Sequence, residues 1–515
     1  MQKIFTATLT GIDAALIEVE ADVSSGLPTT IIVGLPGAAV QESRERVRSA
    51  IKHSGFSYPQ TRVSINLAPG TLPKAGTHFD LPIALSIMLA GGIIPAKQFG
   101  FNVELFVGEL SLDGTIRSVA GVLAMAQAAR TAGLKAIFVP AENAPIARLI
   151  KGIKVYPVKD LRQLAEHLLG IQFIYPLTES ADHVIASKSF QKELFNFGMI
   201  AGQQQAKRAL EVAAAGGHNV LMVGPPGSGK SMLAKSLASI MPPLSEHETL
   251  ELTKIYNSAG KIKSEILLDR PFRNPHHTTS AIAMIGGGAL PRPGEVTLAH
   301  RGVLFLDELP EFSRGVLEVL RQPLEEHMVT ITRAKQTHVF PANFILVAAH
   351  NPCPCGNAGQ FLDAQQLECN CLPSAIQRYK KKLSGPLLDR IDLHITVPRL
   401  SYKEMSVANS NLGTQTDSGS SFKIQTRVTN ARAIQNTRYR SAKTNNEMTL
   451  LELRQFCQLS PECDDLLDQA AGRYQLSGRA IHRIKKVART IADLAECHDI
   501  ELAHLAESIQ YRLRE

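Results

Sequence analysis

The feature that most constrains the fold is the glycine-rich segment GPPGSGKS at residues 224–231. An apolar run at residues 219–223 leads into it, and the helical stretch MLAKSLASI follows it. The segment matches the pattern G-x-x-x-x-G-K-[ST] in the strand–loop–helix context that this pattern requires. Backbone N–H groups of such a loop surround phosphate oxygens at the positive end of the helix. The residues predicted to hold ATP are Gly224, Pro225, Pro226, Gly227, Ser228, Gly229, Lys230 and Ser231.

Polar side chains also follow two apolar segments further along the chain. The continuous apolar run at residues 303–306 ends at Asp307 and Glu308, as expected of a buried parallel strand. We expect Asp307 and Ser231 to hold Mg²⁺, and Glu308 to polarise the water that attacks the γ-phosphate. The strand predicted at residues 344–349 leads to Asn351, which could hold that water or could be an ordinary turn residue.

The chain between Lys230 and Asp307 is longer than a compact βαβ crossover needs. The extra length predicts an insertion, for which residues 273–280 and the glycines at 286–288 are the candidate projecting loop. His276 and His277 lie in this loop, but without a neighbouring Cys or His they are not expected to bind a metal.

Length and hydrophobic periodicity predict an α/β protein with several domains, because 515 residues exceed the usual size of a single core. Residues 1–170 and 195–400 alternate strand-like and helix-like segments, and residues 426–515 are helical. Residues 171–194 are interpreted as a linker, and the Ser-, Gly- and Asn-rich residues 401–425 as a flexible loop.

Composition excludes some classes of protein. Acidic residues interrupt the first 20 positions, which argues against a signal peptide, and the longest apolar run, residues 81–94, is too short to span a membrane. A soluble cytoplasmic protein without a membrane partner is expected. The formal charge of +8 permits a polyanionic partner such as nucleic acid but is a mild excess for this length.

Four of the seven cysteines form two C-x-C pairs within the segment 353–371. Without a signal peptide, a disulfide framework is not expected. Four thiolates in one loop suit a structural zinc ion, and four reduced thiols are the alternative. The candidate zinc ligands are Cys353, Cys355, Cys369 and Cys371.

Residues 329–339 alternate in hydrophobicity as a β-hairpin does. Arg333 and Lys335 lie near its tip and are candidates for sequence-independent contacts with DNA phosphates. A solvated hairpin tip is the alternative.

Taken together, these motifs resemble the AAA+ branch that includes magnesium-chelatase motor subunits and MCM helicases, and most of all the ComM/YifB family of magnesium-chelatase-like proteins. The resemblance runs through nearly the whole chain, including RGVLFLDELPEF, AAHNPCPCG, SGPLLDRIDLHI and LSGRAIHRIKKVARTIADL. Several spaced motifs in the family's order are far more specific than one phosphate loop. The resemblance implies an AAA+ core, a helical lid at residues 426–515, and a hexameric ring.

Two arginines take roles from this resemblance. Arg390 matches the family's arginine finger, which enters the site of the neighbouring subunit and stabilises the charge of the transition state. Arg479 matches the sensor arginine of the lid, which would touch the γ-phosphate from its own subunit or from the neighbour. The hairpin at residues 329–339 would point into the pore of the ring, as in related helicases.

The family's amino-terminal domain is similar to the Lon protease fold. Leu123 stands where that fold carries its catalytic lysine, and Thr77, His78 and Phe79 stand where its serine nucleophile is expected. A Ser–Lys dyad needs both partners, so residues 1–170 are interpreted as a non-proteolytic scaffold.

The leading functional hypothesis is a hexameric ATP-dependent DNA translocase or helicase. The resemblance implies branch migration during natural transformation, on single-stranded or branched DNA and alongside recombination proteins. A chelatase-type motor that remodels a protein partner is the alternative. An ATP-dependent protease is disfavoured by the absent serine and lysine.

Overall fold

The computed structural model describes residues 2–95, 103–177, 196–263, 265–288, 291–333, 336–359, 361–362, 365–366, 368–400 and 421–512. In this part of the chain, no helix is both long enough and apolar enough to cross a bilayer.

The amino-terminal part folds around a mixed sheet. Its strands are β1 (Ile4–Thr10), β2 (Asp13–Ser24), β3 (Thr29–Val33), β4 (Arg62–Ala68), β5 (Glu104–Phe106), β6 (Glu109–Leu110), β7 (Ile116–Arg117), β8 (Ala136–Pro140) and β9 (Lys154–Val158). Seven of them form one sheet in the order β3-β4-β2-β1-β5-β8-β9, and β6 pairs with β7. Strands β1, β2 and β4 are antiparallel neighbours, whereas β1, β5, β8 and β9 are parallel.

Helices cover both faces of this sheet. They are α1 (Ala38–His53), α2 (Asp80–Ala90), α3 (Val122–Thr131), α4 (Ala144–Ala147) and α5 (Leu161–Leu168). Alternate residues of a strand point to opposite faces, so Phe138 of β8 packs with α1, α2 and α5 while Ile137 packs with α3 and α4. The amino-terminal part is therefore α/β, as predicted, because helices pack on both faces of a mixed sheet.

The second sheet contains five parallel strands. They are β10 (Val220–Val223), β11 (Phe272–Arg273), β14 (Val303–Leu306), β17 (Ile345–His350) and β20 (Leu393–Thr396). Their order is β11-β14-β17-β10-β20. Strand β10, which leads into the phosphate loop, therefore lies beside β17, and β14 lies on the other side of β17. This order makes the carboxyl ends of β14, β17 and β10 neighbours at one edge of the sheet.

Helices and small hairpins surround the second sheet. The helices are α6 (Gln204–Gly216), α7 (Lys230–Ile240), α8 (Glu246–Ser258), α9 (Ala281–Ile285), α10 (Glu295–Leu298), α11 (Arg314–Val319), α12 (Arg321–Glu326), α13 (Pro373–Lys381) and α14 (Gly385–Leu388). The hairpins pair β12 (Gly286–Gly287) with β13 (Arg292–Pro293), β15 (Met328–Arg333) with β16 (Gln336–Pro341), and β18 (Phe361–Leu362) with β19 (Gln365–Gln366).

The extra length between Lys230 and Asp307 is more ordered than the sequence predicts. It contains α8, the edge strand β11, the helix α9 and the hairpin β12–β13. The predicted loop at 273–280 and 286–288 is therefore only partly a loop, because residue 273 belongs to the sheet and residues 286–287 pair with 292–293.

The carboxyl-terminal part is helical, as predicted. Its helices are α15 (Ser421–Tyr439), α16 (Leu450–Phe456), α17 (Pro461–Tyr474), α18 (Gly478–Leu494) and α19 (Leu502–Gln510). Leu453, Leu467, Ile484 and Leu505 form a core shared by α16 to α19, whereas α15 packs on the second sheet domain through Val428.

One loop prediction was wrong in part. Residues 421–425, expected to belong to the flexible loop, form the first turn of α15. The hydroxyl of Ser421 accepts a hydrogen bond from the backbone N–H of Phe197 at 2.9 Å and donates one to Asn196 at 2.8 Å, so this turn is fixed from outside its own segment. Residues 401–420, and 178–194 of the predicted linker, lie outside the described residues.

The amino-terminal domain contacts the second sheet domain at α8. The side-chain oxygen of Asn257 accepts a hydrogen bond from the backbone N–H of Leu123 at 3.2 Å, and its carbonyl accepts one from Gly121 at 3.1 Å. Asn257 is fully buried. Its side chain thus satisfies a backbone donor in the first turn of α3, which this helix cannot satisfy by itself.

Candidate nucleotide site

The phosphate loop joins β10 to α7 through glycine-dependent geometry. Gly229 has φ of 89°, a left-handed conformation that a side chain disfavours. Gly224 lies so close to the carbonyl of Val397 that a Cβ would not fit there. These two positions explain why the loop needs glycine, and together they leave Lys230 as the first residue of α7.

Lys230 is buried at the centre of the loop. Its ammonium donates hydrogen bonds to the carbonyl oxygens of Gly224 at 2.7 Å and Pro225 at 2.8 Å, and to the side-chain oxygen of Asn351 at 3.3 Å. Burial lowers the pKa of Lys230, although the charges of Asp307 and Glu308 act to raise it. A cation held at this point is well placed to neutralise phosphate oxygens.

Ser231 and Asp307 meet across the loop. The hydroxyl of Ser231 donates a hydrogen bond to the Asp307 carboxylate at 2.9 Å. A hydroxyl and a carboxylate oxygen at this separation are the hard ligands that Mg²⁺ prefers, usually completed by water and substrate phosphates. The donor set therefore fits Mg²⁺, as the sequence predicts.

Glu308 follows Asp307 at the edge of the sheet. It adopts φ of 50° and its side chain is 58% exposed. The Nδ1 atom of His277 lies 3.9 Å from the Glu308 carboxylate. His277 stacks on His276 with ring centroids 4.1 Å apart, and neither belongs to any described cluster that could hold a metal. More than half of the Glu308 side chain is thus accessible to solvent.

The two predicted catalytic arginines lie together, because both contact the carboxylate of Glu325. Arg390 donates hydrogen bonds to the carboxylate of Glu325 and to the carbonyl of Pro386, the latter at 2.8 Å. Arg479 lies 3.4 Å from the other oxygen of Glu325. In the described chain neither arginine contacts Lys230. The structure therefore brings together the phosphate loop, Asp307 and Asn351, and separately the two arginines.

Glu325 is a residue that sequence reasoning missed. It is one of two adjacent glutamates at the end of α12, a position that in sequence looks like an ordinary solvated helix end. No local spacing signals its contact with Arg390, because 65 positions separate the two residues.

The four cysteines of the segment 353–371 are gathered in space. The sulfur of Cys353 lies 3.3 Å from that of Cys355 and 3.7 Å from that of Cys369, and the latter two are 3.5 Å apart. Cys371 completes a group whose sulfurs all lie within 4.8 Å of one another. Tetrahedral zinc with Zn–S bonds of about 2.3 Å separates its sulfurs by about 3.8 Å. The donor set fits zinc.

The cysteine loop rests on the phosphate loop. Gly356, one residue beyond Cys355, lies against the ring of Pro226 so closely that a Cβ would not fit between them. The next helix, α13, contributes the buried Tyr379, whose ring packs against His350 with centroids 6.4 Å apart. The cysteine loop and α13 thus frame the end of β17, just before Asn351.

The predicted hairpin is present, and its strands pair from Met328 with Pro341 to Arg333 with Gln336. Lys335, at the predicted basic tip, lies outside the described residues. The base of the hairpin packs against the amino-terminal domain, because Phe340 and His338 lie beside Gly11.

The amino-terminal domain carries no Ser–Lys dyad at the compared positions. Leu123 is fully buried in a hydrophobic core. His78 is buried, with its Nε2 2.8 Å from the carbonyl oxygen of Ala7, and burial lowers the pKa of His78 to about 4. Asn257 of α8 covers the start of the helix that carries Leu123.

Comparison with known proteins agrees with this architecture. Models of the magnesium chelatase subunit ChlI match residues 19–143 and 196–405, and a model of its carboxyl-terminal part matches residues 418–512. The chain is 40% identical to the uncharacterized protein YifB of Escherichia coli over 99% of this chain and 96% of that protein. It is 39% identical to the competence protein ComM of Haemophilus influenzae over 99% of this chain and 97% of that protein. Lon protease 2 of Bacillus subtilis is 29% identical over 25% of this chain and 22% of its own length.

Proposed function

The chain belongs to the ComM/YifB family of magnesium-chelatase-like AAA+ proteins, and from this premise we propose that it is an ATP-dependent hexameric DNA translocase that promotes branch migration when DNA is integrated during natural transformation. The observation that carries the ATPase part of the proposal is the meeting of Lys230, Ser231, Asp307 and Asn351 at one edge of a five-stranded sheet.

In this mechanism, the loop at residues 224–231 binds the phosphates of ATP, and Lys230 turns from its own loop carbonyls to the β- and γ-phosphates. Ser231 and Asp307 would hold Mg²⁺, which when bound would supply charge neutralisation at the phosphate oxygens. Glu308 polarises the attacking water, and Asn351 orients that water against the γ-phosphate. Charge-stabilising groups fixed in place before reaction supply most of the catalysis in such sites.

Arg390 and Arg479 act on the ATP of a neighbouring subunit. Their shared position on Glu325 supports an action in trans for both, since among the described contacts neither arginine reaches the phosphate loop of its own chain. A finger supplied in trans contributes about 10³ to 10⁵ in rate in other nucleotide enzymes. The site is then complete only where two subunits meet, which requires a ring.

The remaining parts take supporting roles. We assign structural zinc to Cys353, Cys355, Cys369 and Cys371, and the lid to residues 426–515. Residues 1–170 form a non-proteolytic scaffold, joined by the linker 171–194 to the ATPase core 195–400. Arg333 and Lys335 contact DNA phosphates from the hairpin. The protein acts in the cytoplasm, alongside recombination proteins.

The DNA activity is supported by the near full-length similarity to a protein named for competence and by the net charge of +8. The alternative, a motor that remodels a protein partner as in a chelatase, is favoured by the matching chelatase models. The two differ in how ATP hydrolysis responds to DNA. A chelatase-type motor hydrolyses ATP at the same rate with and without DNA.

The deciding experiment incubates the purified protein with ATP and either forked or four-way DNA, with Lys230→Ala as the inactive control. Strand separation that requires ATP and an intact Lys230, together with ATPase stimulation by DNA, supports the translocase. ATP hydrolysis without unwinding and without stimulation favours the chelatase-type motor.

A further inference from the structure

The carboxylate of Glu325 lies between two arginines that are proposed to leave their own subunit. One of its oxygens accepts a hydrogen bond from Arg390, and the other lies 3.4 Å from Arg479. The three side chains line a cavity of about 300 Å³ that Arg483 and Lys486 also border. This group, Glu325 with Arg390 and Arg479, is called the arginine clamp below.

In this conformation the clamp keeps Arg390 away from any neighbour. The Arg390 side chain is only 13% exposed, whereas that of Glu325 is 49% exposed. The Nη1 atom of Arg390 is occupied by the carbonyl of Pro386, and its Nε is buried without a hydrogen-bond partner among the described residues. A guanidinium covered in this way cannot contact a phosphate on another subunit until it leaves Glu325.

The charges around the cavity favour an anion in place of Glu325. Arg483 already pairs with Asp392, and Lys486 donates to the carbonyl of Asn446 at 2.7 Å. Arg390 and Arg479 therefore share one carboxylate between two positive charges. A phosphate group offers the same paired oxygens as a carboxylate and carries more negative charge, so it competes directly for both guanidinium groups.

We propose that Glu325 is a lock that holds Arg390 and Arg479 on their own subunit until the γ-phosphate of ATP on the neighbouring subunit displaces it. The inference rests on the proposed action of these arginines in trans. Breaking the clamp costs free energy each time the ring closes on ATP. The lock therefore suppresses assembly and hydrolysis in protomers that face no triphosphate.

The test measures ATP hydrolysis by Glu325→Gln across a range of protein concentrations, and ring assembly by sedimentation at the same concentrations. Glutamine keeps the size of the side chain and removes its charge. The matched control is Glu326→Gln, because Glu326 is the adjacent residue and, in the described part of the chain, its carboxylate accepts from Gln322 alone, at 2.8 Å. Thermal unfolding of each variant is measured alongside.

The expected result is that Glu325→Gln reaches half-maximal activity at a protein concentration up to about fivefold lower than wild type, the scale of one partly exposed ion pair. Glu325→Asp, which keeps the charge on a shorter side chain, should give a smaller gain, and Glu326→Gln should give none. Because Arg390→Ala is expected to be inactive, the double variant Glu325→Gln with Arg390→Ala is compared with Arg390→Ala in ring assembly alone. Sedimentation should show no gain, because the lock acts through Arg390.

Two outcomes overturn the lock. The first is that ATP hydrolysis depends on protein concentration in the same way for Glu325→Gln and Glu326→Gln. The second is that Glu325→Gln loses turnover at saturating protein, which shows that Glu325 instead orients the arginines during hydrolysis. Neither outcome touches the proposed function if Arg390→Ala is inactive. Full turnover by Arg390→Ala contradicts the finger itself.

Discussion

The ammonium of Lys230 lies 3.3 Å from the side-chain oxygen of Asn351, so the phosphate loop and the end of β17 meet at one point. The two residues follow adjacent strands of the parallel sheet: Lys230 lies beyond the phosphate loop that leaves β10, and Asn351 comes directly after β17. At the proposed site, an incoming γ-phosphate replaces this contact. The positions of both side chains therefore depend on whether ATP is bound.

Binding and hydrolysis should separate in two variants of this site. Lys230→Ala should lose ATP affinity and turnover together, because the cation that contacts the phosphates is gone. Glu308→Gln should still bind ATP and lose turnover by about 10²- to 10⁴-fold, the usual contribution of a general base. Fluorescent-nucleotide titration and phosphate release measure the two steps. Normal hydrolysis by Glu308→Gln contradicts its role.

Mixed rings should reveal an arginine acting between subunits. Arg390→Ala and Lys230→Ala should each be inactive alone, and mixing them should restore part of the turnover, because some interfaces then combine an intact loop with an intact finger. Arg314→Ala, which removes an exposed arginine elsewhere, serves as the active control. Phosphate release as a function of mixing ratio is the measurement, and no rescue at any ratio would count against action in trans.

Removing metal should weaken the nucleotide site as well as the cysteine loop. A single zinc ion per chain is expected by elemental analysis, and chelation or Cys355→Ser should lower the melting temperature, because metal binding supplies folding free energy to such loops. ATP affinity should also fall, since Gly356 packs on Pro226. Leu372→Ala, at an exposed residue next to the cluster, is the control. Unchanged ATP affinity after complete zinc loss would show that the cysteine loop does not support the phosphate loop in binding ATP.

Asp392 should be needed for the stability of the segment that carries Arg390. It is buried and contacts Arg483, His218 and the backbone N–H of Asn219. Asp392→Asn leaves the partly buried guanidinium of Arg483 without its counter-charge and should cost at most about 3–5 kcal/mol in free energy of unfolding, the scale of a fully buried pair. Asp499→Asn, at an 88% exposed side chain, should cost little. Chemical denaturation of the two variants measures the difference.

The same residue predicts a pH dependence. Burial alone would raise the pKa of Asp392, but Arg483, His218 and the Asn219 N–H hold it below its usual range. A carboxylate whose pKa is lowered on folding stabilises the protein above its unfolded pKa of about 4, and this contribution is lost as the pH falls below that value. The stability gap between wild type and Asp392→Asn should therefore shrink below about pH 4. A stability difference between wild type and Asp392→Asn that does not change with pH would show that the charge of Asp392 is not its cause.

The joint between the two sheet domains can be tested at Asn257. Asn257→Ala leaves the backbone N–H of Leu123 and the carbonyl of Ile262 without partners, at a cost of about 1–3 kcal/mol each for a buried group. Calorimetry should show a lower first melting transition, whereas Asn430→Ala, at an exposed residue, should melt like wild type. Identical melting of both variants would mean that Asn257 contributes nothing to the joint.

The parts of the site that sequence predicts are those whose chemistry is local. The phosphate loop and the acidic strand end follow from spacing alone, because a strand must deliver its last residues to the sheet edge. Contacts between distant segments leave no such pattern. Glu325 meets Arg390 across 65 positions and Asn257 meets Leu123 across 134, and neither glutamate nor asparagine is unusual where it stands. The helical turn at residues 421–425 was missed for the same reason, since Phe197 and Asn196 fix it.

Asn257 joins the amino-terminal domain to α8, and α8 is the next helix along the chain after α7, which begins at Lys230. The amino-terminal domain is thus attached to the helix that directly follows α7 in the chain. In the proposed motor, a movement of α8 on ATP turnover would reach the first turn of α3 through Asn257, because the backbone N–H of Leu123 is held there.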